Sequence, residues 1–154
     1  MGKPPWKMIG LVAAGVAGVA AAWFALRRSK YAKVPDDEVD ADARAEAEKL
    51  ASGILGAWKE ERFEGLGEDS AEPLRTKLDA DRQREAHGAV KEAFGDYEAL
   101  EYVETWKPRN GAALRIYRFR GTFSGAARPE VRVVLDAQRR LSGFWVKAWA
   151  TEVR

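Results

Sequence analysis

Cysteine is absent from this 154-residue chain, and histidine occurs once, at His87. Without a thiol there is no disulfide, no cysteine nucleophile and no cysteine-ligated zinc, and a single imidazole cannot build a histidine metal cluster. No metal and no cofactor are implied. Acids are scarce late in the chain, where only Glu130 and Asp136 lie between Trp106 and Trp149. They are missing altogether from the first 35 residues, which carry Lys3, Lys7, Arg27, Arg28, Lys30 and Lys33. The net charge of +2 hides this segregation: residues 36–104 hold 21 acids against 9 bases, and residues 105–154 hold 3 against 11.

What the chain does have begins with residues 8–26, MIGLVAAGVAGVAAAWFAL, a run without charge between Lys7 and Arg27-Arg28. As a helix it would measure about 28 Å, close to the hydrocarbon thickness of a bilayer. Trp6 and Trp23 stand near its two ends, where indoles favour the interface. A secretory signal peptide is the competing reading, since Ala20-x-Ala22 resembles a cleavage site. The length of the run favours an uncleaved anchor. The expected organisation is therefore an N-terminal flank (1–7), a transmembrane helix (8–26), a linker (27–35) and one soluble domain (36–154). That places the protein in the cell membrane with a single pass and the bilayer as a partner. The flanking bases differ by one between the two sides, so the side of the soluble domain stays open. Gly10, Ala14, Gly18 and Ala22 recur every fourth residue, a small-residue stripe on which two such helices can pair, and this allows a homodimer.

Pro35 followed by Asp36-Asp37-Glu38 marks a helix start, and Val39, Ala43, Ala47, Leu50, Ile54 and Trp58 follow at helical spacing. The pattern predicts a first helix over residues 36–62, with Gly53 and Gly56 as points of close packing. A short second helix is expected over 71–78. A third should be capped by Asp79 or Asp81 and ended by Gly95. From Tyr97 the period changes to two. Four strands are expected, with Leu100, Tyr102 and Trp106 sharing one face of the first and Asn110-Gly111 turning into the second. Helices followed by a meander give an α+β domain: three helices on a curved four-stranded antiparallel sheet.

The stretches 50–63, 90–95 (ending Phe94-Gly95) and 131–146, within VRVVLDAQRRLSGFWVK, carry a resemblance. Over most of residues 42–150 the chain resembles the cystatin-like cone fold of the nuclear-transport-factor-two superfamily. More narrowly, it is similar to an uncharacterised bacterial domain sometimes found ahead of α/β-hydrolases. The matching residues are a packing and turn signature and bring no catalytic residue with them. The superfamily contains isomerases, dehydratases, binding modules and scaffolds, so the fold does not choose among them.

No catalytic residue is singled out. Acid–base chemistry inside a cone needs a carboxylate or histidine of shifted pKa, and the later strands offer few. His87, four residues after Gln83, reads as solvated on a polar helix face. Arg115, Arg118, Arg120 and Arg132, with Arg128 nearby, form a candidate anion-binding group, Arg118 and Arg120 sharing a strand face and Arg115 opposite them. The simpler reading is that they face solvent or pair with the acidic helices. Nucleic acid is disfavoured as a partner, because residues 36–154 sum to −4. Among the aromatic residues Trp58, Tyr102, Trp106, Tyr117, Phe119, Phe144 and Trp145, most should form the core. Tyr102, Tyr117, Trp58 and Trp145 are the candidates for lining a ligand pocket, the two tyrosines because their hydroxyls need partners. The expectation is a membrane-tethered, non-enzymatic module that binds a partner protein or a small ligand, with a small acid–base enzyme as the alternative.

Overall fold

The computed structural model describes residues 29–154. The expected spanning helix (8–26) and its small-residue stripe lie outside them. No helix among the described residues is long and apolar enough to cross a membrane.

Strand β1 (Tyr31–Val34) comes first, followed by a 3-10 turn (Asp36–Glu38). Helices α1 (Ala41–Lys59), α2 (Glu72–Lys77) and α3 (Ala80–Phe94) come next, then strands β2 (Tyr97–Pro108), β3 (Arg115–Phe123), β4 (Glu130–Leu135) and β5 (Leu141–Lys147). All neighbours pair antiparallel in the order β1-β2-β3-β4-β5. The expected fold therefore needs correcting: the sheet has five strands, not four, and the described helices contain no membrane span. The extra strand falls where a linker is expected, because residues 31–34 add to the far side of β2, Tyr31 opposite Pro108 and Val34 opposite Thr105.

Helix α1 starts later than the acidic run suggests. Asp36, Asp37 and Glu38 close only a single 3-10 turn, and Val39 is extended. The Asp40 carboxylate accepts from the Asp42 and Ala43 amides, and that cap sets the start of the helix. Ala43, Ala47, Ala51, Leu55 and Trp58 then form a buried stripe at four- and three-residue steps. Its alanines let the helix lie close to the sheet. Gly53 and Gly56 are not points of close packing, since a Cβ at either meets nothing within 4 Å. Gly53 is exposed, so Gly53→Ala removes backbone entropy from the unfolded chain without a clash. It should stabilise the domain by about 0.5–1 kcal/mol, measured by urea denaturation.

Asp79 caps α3 by accepting from the Arg82 amide, and Gly95 ends it at φ 90°. A side chain at that φ is strained, and a Cβ there also meets Ser124 and the Gly125 amide. Buried Gln83 ties the helices together: it accepts from the Trp58 indole (3.0 Å) and donates to the Glu64 and Leu78 carbonyls (2.6 and 3.1 Å).

The helices cover one sheet face. Tyr117, Phe119 and Phe123 of β3, Val131, Val133 and Leu135 of β4, and Leu141, Phe144 and Val146 of β5 pack there against α1 and α3. Register shifts in β2, at Tyr97/Ala99 and Tyr102/Glu104, bend the strand and change which side chains face inward. Tyr102 lies opposite Phe119 on the helix side, but after the second shift Thr105, opposite Tyr117, takes the inward position. Trp106 is thereby turned to the other face, where it packs beside Ile116, Val134 and Trp145. Leu100, Tyr102 and Trp106 do not share a face.

That second face is not open to solvent. The C-terminal segment, residues 148–154, crosses it as a strap. Val153 is fully buried against Ile116 and Val134. Its carbonyl accepts from the Ser29 hydroxyl at 2.6 Å. Both faces are covered, so all six residues of β4 are buried.

Candidate functional site

A half-open cleft of about 360 Å³ lies where the 3-10 turn and the start of α1 meet the ends of β1, β2, β3 and β4. Val34, Val39, Ala43, Ala113, Leu135 and Ala137 give it apolar walls, and Glu38, Asp40, Thr105, Arg115, Tyr117, Asp136 and Arg139 supply polar groups.

Most of those polar groups already have partners. Asp40 accepts from two α1 amides and from Arg139 at 2.8 Å. The Ala43 amide first, and the Arg139 guanidinium with it, hold its carboxyl below the usual carboxylate range. Asp136 accepts from the Gln138 and Arg140 amides and from the Arg140 guanidinium. Burial works to raise its pKa, yet these bonds prevail and keep it low. Thr105 Oγ1 is 2.7 Å from the Tyr102 hydroxyl. Two donors remain. The Tyr117 ring is buried, 2% exposed, and its hydroxyl has no hydrogen-bond partner among the described residues. Burial first, and the Asp40 carboxylate next, push its phenol above the ordinary value, so it stays protonated. The Arg115 guanidinium is exposed and, among the described residues, donates only to the carbonyl of its neighbour Leu114.

The four residues expected to line a pocket are dispersed. Tyr117 lines this cleft, and Tyr102 stands behind it through Thr105, with Arg44 over its ring at 4.9 Å. Trp58 is in the core beneath α1, edge-on to Phe144 at 5.7 Å. Trp145 is on the other sheet face, its ring over Gly143.

The arginines expected to bind an anion are separated in the same way. Arg115 is at the cleft, while Arg118, Arg120 and Arg132 point to the strap-covered face. Arg118 and Arg132 are buried there and Arg120 is half-buried, and among the described residues none of the three pairs with a helix. Arg118 is fully buried, bonded to Glu104 at 2.5 Å and Glu130 at 2.7 Å, and donates to the Ala150 and Thr151 carbonyls of the strap. Arg132 holds the other oxygen of Glu130 at 2.6 Å. The Trp149 ring stacks on both Arg118 and Arg120, 4.2 Å from each. Burial acts to raise the Glu130 pKa, but the hydrogen bonds from Arg118 and Arg132 outweigh it and keep the carboxylate ionised. Lys147, beside this group, is pushed down by burial and by Arg132.

His87 is not on a solvated face. It is half-buried, with Trp58 at 6.2 Å and Phe63 at 5.5 Å, and burial lowers its pKa. No group of acids and histidine among the described residues is arranged to hold a metal.

Asp40, Thr105 and Arg139 were invisible as site residues in the sequence. The only trace of Asp40 was its place before a helical stripe, and Arg139 reaches back to it from a turn at φ 59°. No protein-family model, curated protein or solved structure matches the chain.

Proposed function

We propose that this chain is a non-enzymatic binding module and that the cleft beside Tyr117 is where it binds. The observation carrying this reading is the contrast between a packed interior and a half-open cleft. Trp58, Phe119, Phe123 and Phe144 fill the sheet's helix side, and the cleft retains two uncommitted donors, Tyr117 and Arg115. An acid–base enzyme would need a carboxylate or imidazole tuned toward neutrality at an open site. Asp40 and Asp136 are instead held low, Glu130 is sealed beneath the strap, and His87 sits between two aromatic rings. On the uncharged run 8–26 we also propose that the module works attached to a membrane.

Screening a fragment set against the methyl-labelled full chain in neutral detergent tests this. Binders should shift the Val34, Val39 and Leu135 methyl signals, leave those of Val131 and Val133 in place, and be recovered unchanged after incubation. Conversion of a bound fragment, or no saturable shift at the cleft, would overturn the reading.

A further inference from the structure

We infer that the cleft selects small organic monocarboxylates, an apolar body lodging against Val39, Ala43 and Leu135 while the carboxylate is met by Arg115 and the Tyr117 hydroxyl. This rests on the cleft being the binding site and goes further by naming the ligand's chemistry.

The argument is one of remaining capacity. A pocket of this size takes a small molecule largely through apolar contact, with a few polar groups fixing its orientation. Here both Asp40 and Asp136 are spent, each on backbone amides and on an arginine, Arg139 and Arg140 respectively. Thr105 is occupied by Tyr102. What is left to meet a ligand is the Tyr117 phenol and the Arg115 guanidinium, both donors, with the exposed Glu38 carboxylate at the rim. The Tyr117 hydroxyl opens onto the cleft with no protein acceptor among the described residues, so an acceptor on a ligand completes its bonding. A guanidinium prefers a planar, charged acceptor that it can hold through two parallel bonds. One carboxylate satisfies both needs. Two of the three acids at the rim are neutralised by Arg139 and Arg140, so Arg115 is opposed only by Glu38, which is exposed and makes no side-chain bond among the described residues.

Phenylacetate, phenylacetamide and phenethylamine share an apolar body and differ in the charge of the head group. Each is titrated into the full chain in neutral detergent and followed by saturation-transfer NMR. Phenylacetate should bind at least about tenfold tighter than phenylacetamide, as a charge-assisted hydrogen bond would give. Arg115→Met, at an exposed position the fold does not depend on, should bring phenylacetate down to the level of the amide. Tyr117→Phe should weaken phenylacetate while leaving the thermal midpoint near that of the parent. Equal binding of acid and amide would overturn the carboxylate assignment and leave the cleft as a binding site. Tightest binding of phenethylamine would overturn it in favour of Glu38. Failure of all three to bind would overturn the assignment, and if the fragment screen is also silent, the binding reading falls with it.

Discussion

Replacing Arg118 with Met is expected to cost the domain about 3–5 kcal/mol, the range found when one partner is removed from a buried ion pair. The residue is enclosed: Glu104 and Glu130 take its two terminal nitrogens, which also donate to the Ala150 and Thr151 carbonyls, Nε is buried without a partner, and Trp149 lies across it. Its loss leaves Glu130 with Arg132 alone and two strap carbonyls without a donor. The strap and the sheet should loosen together. Equilibrium denaturation measures the loss, and proteolysis after residue 147 reports the strap separately. A cost below about 1 kcal/mol, the level of a surface pair, would mean the network does not hold the strap. Removing both charges, with Arg118→Met and Glu130→Leu together, should recover part of the loss, because no buried charge is then left unpaired. The network also gives an acid dependence. Glu130 is held below its ordinary value of 4.5 in the folded state, so its stabilisation is complete above that pH and is lost as the pH falls through the folded-state value. Glu130→Gln should be less stable at neutral pH and should lose less on acidification below 4.5.

Phe119→Ala tests the other sheet face, with an expected cost of about 3–5 kcal/mol, typical of deleting an enclosed aromatic ring. Phe119 is fully buried, opposite Tyr102 on β2 and Val131 on β4, with the Tyr102 ring at 5.9 Å. A packed helix–sheet interface cannot close over the vacancy, so the loss contains a cavity contribution besides the transferred ring. Domains of this size are stable by about 5–15 kcal/mol, so the variant should sit near its unfolding threshold at moderate urea. Were the space under α1 an open pocket, Phe119 would already be wetted and its truncation would cost less than about 2 kcal/mol. That result would reopen the enzyme alternative. Phe119 does not line the cleft, and ligand binding by the folded fraction should persist.

Local signals carried far in this sequence and long-range ones did not. Asp79, Gly95 and the Asn110-Gly111 turn act where their chemistry predicts, Gly111 taking φ 83°. The acidic run Asp36-Asp37-Glu38 marks the start of α1 in the sequence, but Asp40 sets it because its carboxylate reaches two free amides, which spacing alone does not reveal. Strand β1 has four residues and a partner more than seventy positions away, too short for alternation to register. The turn of Trp106 to the strap side follows from an irregularity between Tyr102 and Glu104 that alternation cannot foresee. For Arg118 the period-two rule places the residue on the correct face, but alternation assumes that a sheet buries one side. Here seven residues of ordinary composition bury the other. Tyr117, singled out because a phenol hydroxyl wants a partner, lines the cleft, whereas Arg139 and Asp40 meet only through the fold.

The bond between Ser29 and Val153 closes a separation of 124 residues. It puts the two ends of the described chain at one corner, on the strap side of the sheet, while Tyr117 and Leu135 line the cleft on the helix side. A bead linker, a fluorescent protein or a sensor chip joined after residue 154 is thus attached behind the sheet and leaves the cleft facing outward, and a dye pair placed at residues 29 and 154 would report directly on whether the strap is seated.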